Sequence, residues 1–292
     1  MIGAGLRQAL QNRGSQILQL VRRTPAQPGE MQWNPTAASQ VPQFERLAGL
    51  TAAIHLSGAN VAAHRWTPKW KQQIRSSRVD STRTLARTLA ALSNPPHTLL
   101  VASATGIYGD RADEILEESS PPGHGFLAEV CQEWEAAAQP AADAGIRVVH
   151  LRLGVVIGRG AGALAKLVPL FRLGLGGRLG SGRQWMSWIS LTDAVAAMLF
   201  ALDSANLSGP VNLTAPHPVT NAEFTRALAK ALHRPAFVPA PAFALRLAMG
   251  EMADEALLAS ARVLPVKLTS AHFPFTHPTI DQALAAALGP QN

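Results

Sequence analysis

The chain has 292 residues, 47% of them hydrophobic, enough to bury a substantial core in one two-lobed domain or two domains. A single cysteine, Cys131, excludes an internal disulfide and suits a reducing compartment, and no apolar run reaches the length of a membrane span. The net charge of +7 comes without a nucleic-acid motif or a dense basic run, so a cytoplasmic protein acting on a small molecule is expected, with no nucleic-acid or membrane partner and a homodimer admitted.

Leu6, Leu10 and their neighbours form a helical stretch closed by Gly14, the residue type that tolerates the left-handed turn after a helix. Residues 17–21 are an apolar run of strand type, and Arg22-Arg23 follow at once. Helix, turn, strand and arginines make the second half of a βαβ nucleotide-binding unit. An arginine at the end of its second strand accommodates the 2′-phosphate of NADP. Arg22 and Arg23 are therefore candidate cofactor ligands, and NADP is the expected cofactor. Gly3 falls where the last glycine of a phosphate loop lies under the pyrophosphate, at a helix N-terminus. The earlier loop glycines and the strand ahead of them have no counterpart after Met1. The expectation is a sheet lacking its first, central strand, whose two neighbours face a gap with unpaired edges. Intact mass of the native protein tests whether residues precede Met1. An ordinary amphipathic helix with surface arginines is the competing reading of this stretch.

Met31-Gln32-Trp33 is a short candidate strand, and 36–50 has helical character. Residues 52–56 are a buried strand running into Ser57-Gly58, with Asn60 close behind. Ligands of open α/β sheets lie outside the carboxyl ends of strands, which puts Leu56, Ser57 and Gly58 beside a cofactor. Thr67-Pro68 opens a long helix over 67–93, with Arg78 on it, and Asn94-Pro95-Pro96 ends it. Residues 97–103 form another buried strand, ending at Ser103.

The segment that follows, Ala104-Thr105-Gly106-Ile107-Tyr108-Gly109-Asp110, resembles the strand end and Y-G-D turn of the extended short-chain dehydrogenase/reductases. Glu117 to Gly123, Phe126 to Glu135, Arg152 to Gly160, Phe171 to Gly177 and Trp188 to Asp193 sharpen the likeness, as do Thr220 to Phe224 and Arg262 to Pro265. Together they resemble an atypical subgroup, the epimerase family proteins, over nearly the whole chain. The resemblance implies a Rossmann-type doubly wound parallel sheet with a small C-terminal substrate lobe. The nucleotide-binding part would cover 1–162 with 186–215 returning to it, and the lobe 163–185 and 216–292. It also implies cofactor contacts from Gly3, Arg22, Arg23, Leu56, Ser57 and Arg78, with Leu153 and Gly154 on the nicotinamide side.

In the wider superfamily a Ser or Thr, a Tyr and a Lys four residues after that Tyr move the proton. This chain has one tyrosine, Tyr108, with Ala112 four residues on, and no lysine between Lys71 and Lys166. The helix expected over 125–138 offers Phe126 or Leu127 and Val130 or Cys131 instead. Three readings stay open. The protein is an NADP-dependent oxidoreductase or epimerase using another acid, with Ser103 and Tyr108 as catalytic candidates and His124, Glu129 and Cys131 behind them. It binds NADP(H) without turnover, as a sensor or scaffold. Or it is an interaction protein that keeps only the fold. No metal ligand set is recognised.

Beyond the main sheet, 148–157 reads as one β-rich run and 163–173 as a helix. The glycine-rich 174–183 lacks G-K-[ST] and suits a substrate-side loop in which Arg178, Arg183 and Trp185 meet an anion or a ring. Thr192 or Asp193 is the expected cap of an alanine-rich helix, and Thr220 with Glu223 fits a capping box. Residues 241–262 read as one helix, Phe273 and Phe275 as packing residues, and 279–288 as a closing helix.

Overall fold

The computed structural model describes residues 1–35, 47, 49–160 and 162–289; the helical stretch expected over 36–50 lies almost wholly outside them. The strands are β1 (Gln19–Val21), β2 (Glu30–Gln32), β3 (Ala52–His55), β4 (Thr98–Ala104), β5 (Ile115–Leu116), β6 (Arg147–Leu153), β7 (Val155–Ile157), β8 (Trp185–Met186), β9 (Trp188–Ser190), β10 (Gly209–Leu213), β11 (Val219–Thr220) and β12 (Arg262–Val263). The helices are α1 (Ile2–Asn12), α2 (Pro68–Ala90), α3 (Phe126–Ala136), α4 (Gln139–Asp143), α5 (Gly162–Arg172), α6 (Leu191–Asp203), α7 (Asn221–Leu232), α8 (Ala242–Met249), α9 (Val266–Ser270) and α10 (Ile280–Leu288).

The central sheet is parallel throughout, in the order β10-β6-β4-β3. Helices cover both faces of the sheet, and its inner strand β4 is buried along nearly its whole length. On one face α1 and α6 enclose a core with Leu100, Val149, Leu151, Ile189 and Met198. On the other, α2, α3 and α4 pack Leu85, Leu89 and Trp134 against Leu99 and Val101. A third core, under α5, α7 and α10, belongs to the smaller lobe and centres on Trp188, Phe224 and Leu284.

β1 and β2 pair parallel in a separate small sheet. Between β1 and β3 lies a cavity of about 540 Å³, floored by Leu6 and Leu10 of α1 and by Leu85 and Leu89 of α2. Among the described residues no strand occupies it, so the order reads β2-β1, gap, β3-β4-β6-β10. This is a doubly wound plan with its central position open, as the residue order predicts.

Three local readings change. The run over 148–157 divides at Gly154, where a Cβ would stand 2.6 Å from the Ser187 carbonyl oxygen; β7 beyond it pairs with β9 instead. Ser190, rather than Thr192 or Asp193, caps α6 by accepting the Asp193 N–H at 3.0 Å. The Asp193 carboxylate is engaged elsewhere, accepting the backbone N–H groups of Thr276 and His277 at 2.8 and 2.9 Å. The expected 241–262 helix stops at Gly250, whose φ of 64° ends α8, and a single π-type turn over Ala253–Leu258 follows. The Thr67 cap and the Thr220–Glu223 capping box form as read. Phe273 is buried against Phe200, 5.4 Å between ring centres, and ties the C-terminal segment to the main core.

His55, on the edge of β3, is buried with its Nε2 3.0 Å from the Ser81 hydroxyl, and burial pushes its imidazole down to about 4. The neutral ring is therefore the folded form. Between its folded value and its ordinary value near 6.5 the unfolded chain binds the extra proton, so stability falls as pH drops through this window. Acidifying from pH 7 to 4 should cost about 3 kcal/mol through this group. Urea unfolding of wild type and His55→Gln across that range checks it: the wild-type slope should exceed the variant's.

Candidate functional site

The carboxyl ends of β3, β4 and β6 open on the same edge of the sheet, beside the N-terminus of α1. α1 has no side-chain cap, so its first N–H groups remain free for an acceptor. Gly3 sits there in the first turn, with Leu56 at its side. Leu56 and Ser57 leave β3 at the mouth of the cavity between β1 and β3.

Gly58, one residue further, packs directly on Arg78. A Cβ there would lie 3.1 Å from the guanidinium carbon, so the backbone and the cation share this corner only because the side chain is absent. Arg78 is largely enclosed. It stacks over Trp134 at 5.2 Å and donates to the Ile74 carbonyl at 3.1 Å, and burial lowers its pKa. Among the described residues no carboxylate pairs with it. A cation removed from water without a counter-charge is costly, and a bound anion would offset that cost.

The two arginines after β1 differ. Arg23 makes a two-pronged ion pair with buried Glu30, Nη1 to Oε2 at 2.8 Å. Those bonds, together with the Ala26 N–H, hold the Glu30 carboxyl down to about 2. Arg23 is thus tied into the 22–30 turn. Arg22 is exposed and has no carboxylate partner among the described residues. It is the cation left at the β1 tip.

Ser103 and Tyr108 are brought into one buried network. Ser103 is buried and donates to Glu135 Oε1 at 2.7 Å. Glu135 is gripped at both oxygens by Arg152, from Nε and Nη2, each at 2.9 Å. Burial alone would lower the pKa of Arg152, but the Glu135 bonds outweigh it and hold the guanidinium protonated. Arg152 also donates from Nη1 to the Tyr108 hydroxyl at 2.9 Å. That hydroxyl lies 2.8 Å from Asn212 Oδ1 and 2.9 Å from the Glu117 carbonyl oxygen, and burial raises its pKa. Tyr108 is fully buried. A hydroxyl this engaged, with a raised pKa, is a poor proton donor to an incoming oxygen. Through these bonds both hydroxyls link β4 and the turn after it to α3, β6 and β10.

The remaining candidates lie apart from this hydrogen-bond network. Cys131 is buried, and burial pushes its thiol up to about 12, the opposite of an activated nucleophile. Glu129 is exposed and lies 3.5 Å from Arg75, and His124 is exposed in its loop. Leu153 and Gly154 stand at the carboxyl end of β6 as expected, but Leu153 packs into both main cores and Gly154 is required by the Ser187 contact. Where a Tyr–Lys pair would project, α3 buries Phe126, Val130 and Cys131. Its N-terminus is closed from the smaller lobe by Glu255, which accepts the Phe126 and Leu127 N–H groups at 2.8 and 2.7 Å.

Sequence reasoning passed over Arg152, Glu135 and Asn212. A charged residue inside the apolar β6 run was the available signal for the first. Among the described residues no group of His, Cys, Asp and Glu could hold a metal ion, and no helix is long and apolar enough to cross a membrane.

Residues 1–213 match the NAD dependent epimerase/dehydratase family. The chain belongs to that family. Residues 240–287 match a domain of unknown function, DUF1731. An epimerase family protein of Mycobacterium leprae is 45% identical over 287 residues, covering 98% of this chain and 92% of its own length. The human epimerase family protein SDR39U1 is 34% identical over 286 residues, covering 97% of this chain and 94% of its own. The crystal structure of human SDR39U1 (isoform 2) with NADPH superposes with a TM-score of 0.90 at 31% identity, covering 99% of this chain and 96% of that one.

Proposed function

We propose that this family member binds NADPH along the carboxyl edge of its sheet and serves nicotinamide-dependent oxidoreduction or epimerisation of a small molecule. The observation that carries the reading is Arg78, an enclosed guanidinium without a carboxylate, set against a glycine at a strand exit. Arg78 would neutralise the pyrophosphate, with the free N–H groups at Gly3 beside it. Gly58 lets backbone approach the dinucleotide. Arg22 would meet the 2′-phosphate by charge-assisted hydrogen bonds. When bound, the cofactor supplies the hydride chemistry; the chain's own residues bind it, orient it and exclude water. The relative solved with NADPH supports the choice of the phosphorylated form.

A second reading is a protein that holds NADPH without turnover. It is favoured by the engagement of both Ser103 and Tyr108 hydroxyls within the fold. Fluorescence titration with NADPH and NADH tests what both readings share: saturable binding with NADPH preferred. Arg22→Ala should reduce that preference about tenfold, the worth of one exposed charge-assisted contact, with NADH affinity unchanged. Equal affinity of the wild type for both forms would remove Arg22 from the site. Single-turnover oxidation of bound NADPH in the presence of candidate carbonyl compounds separates enzyme from holder.

A further inference from the structure

The smaller lobe exposes more large apolar side chains than a solvated surface requires. Leu173, Phe243 and Leu247 are 73%, 72% and 77% exposed, and Phe237 is 86% exposed. They follow a pattern. On α5, Leu164 and Phe171 enter the lobe's core, while Lys166 and Leu170, with Leu173 just past the helix, follow one another at i, i+4 and i+7 on the other side. That stripe begins at the 59–66 loop, where Lys166 Nζ donates to the Ala62 carbonyl at 3.2 Å. α8 buries none of its residues. Phe243 and Leu247, with Gly250 just past the helix, have the same spacing and end at the same loop, since a Cβ at Gly250 would lie 3.6 Å from the Arg65 guanidinium.

At their other ends the two helices are joined by a backbone ribbon. Val238 N–H donates to Gly176, Gly180 N–H to Ala240, and Ala240 N–H to Arg178. Two apolar stripes thus run between one ribbon and one loop, and that loop leaves β3 just past Gly58. We infer that α5 and α8 wall a trough that takes an elongated apolar molecule with an anionic end, the substrate of the proposed cofactor site. The substrate assignment rests on that cofactor reading; the trough does not.

Charge complementarity sets the orientation. At the loop end, Arg65 has no carboxylate partner among the described residues and Lys166 bonds only a carbonyl. The acidic groups nearby, Glu251 and Asp254, are paired with Lys71 and Arg246. An anionic head belongs at that end and the tail along Leu247, Phe243, Leu170 and Leu173. Seven helical rises from Phe243 to Gly250 give a wall about 10 Å long, the reach of a medium acyl chain.

Sodium laurate below its micelle concentration is the probe, titrated calorimetrically into the intact chain with NADPH binding measured alongside. Saturable one-to-one binding is expected, at least tenfold weaker in Leu247→Asp and in Leu173→Asp, with NADPH affinity unchanged in both. Lys166→Glu should weaken laurate but leave uncharged decanol unaffected. All of the substituted side chains are exposed, so folding is not at issue. Unsaturable heats, or equal affinity in the variants, would overturn the trough while intact NADPH binding left the cofactor reading standing. Laurate binding without any NADPH binding would overturn the substrate assignment. A dimer in sedimentation, or capture by phosphatidylglycerol vesicles, that Leu247→Asp abolishes would give the face to a second copy or a bilayer and overturn the proposal.

Discussion

Replacing Arg78 with methionine should weaken NADPH binding about 10- to 100-fold while making the cofactor-free protein more stable. The two effects have one cause. The guanidinium is enclosed by Trp134, the Ile74 carbonyl and the Gly58 backbone, and no carboxylate among the described residues compensates its charge. Methionine keeps most of the packing volume on Trp134 without the desolvated cation, so the fold gains what the site loses. Gly58→Ala gives the complementary result. Its Cβ would press on the guanidinium at 3.1–3.4 Å, and the side chain must shift by a few tenths of an ångström out of its pocket. That variant should lose cofactor affinity without the gain in stability. Thermal unfolding with and without NADPH, beside fluorescence titration, reads both quantities. An Arg78→Met protein that binds NADPH as tightly as wild type would place the pyrophosphate elsewhere.

What could be read from the sequence, and what could not, follows the range of the interactions involved. Thr67 and the Thr220–Glu223 pair act within one helical turn, and both formed as read. The strand ends at Leu56 and Ser103 were legible because apolar runs stop there. Arg23 and Arg22 could not be told apart from the sequence. What separates them is Glu30, brought back by a turn that also uses the Ala26 and Gln27 N–H groups. Ser103 lies near the end of β4 and Tyr108 in the turn that follows, but the groups that meet their hydroxyls were not legible. Their partners arrive from α3, β6 and β10, and that convergence is a product of the fold. Gly154 and Gly250 are different, since both punctuate runs that were read through, and their residue type alone was a warning.

The network around Arg152 should prove structural, and its disruption the most damaging single change in the sheet. Glu135→Leu would leave the Arg152 guanidinium buried against Tyr108 and the Glu118 carbonyl with no counter-charge, at a cost of about 3–5 kcal/mol in urea unfolding. Pairing it with Arg152→Met should recover most of that loss, because the penalty lies in the orphaned charge rather than in the missing attraction. Tyr108→Phe is the milder probe. It removes one hydroxyl from a satisfied set and leaves Asn212 Oδ1 and an Arg152 N–H without that partner, for about 1–2 kcal/mol. A catalytic Tyr108 would behave otherwise: Tyr108→Phe would keep its stability and lose turnover. A bracing Tyr108 loses stability and leaves NADPH affinity where it was. The two measurements on one variant therefore distinguish a proton donor from a strut, and the 2.8 Å contact to Asn212 in a fully buried corner favours the strut.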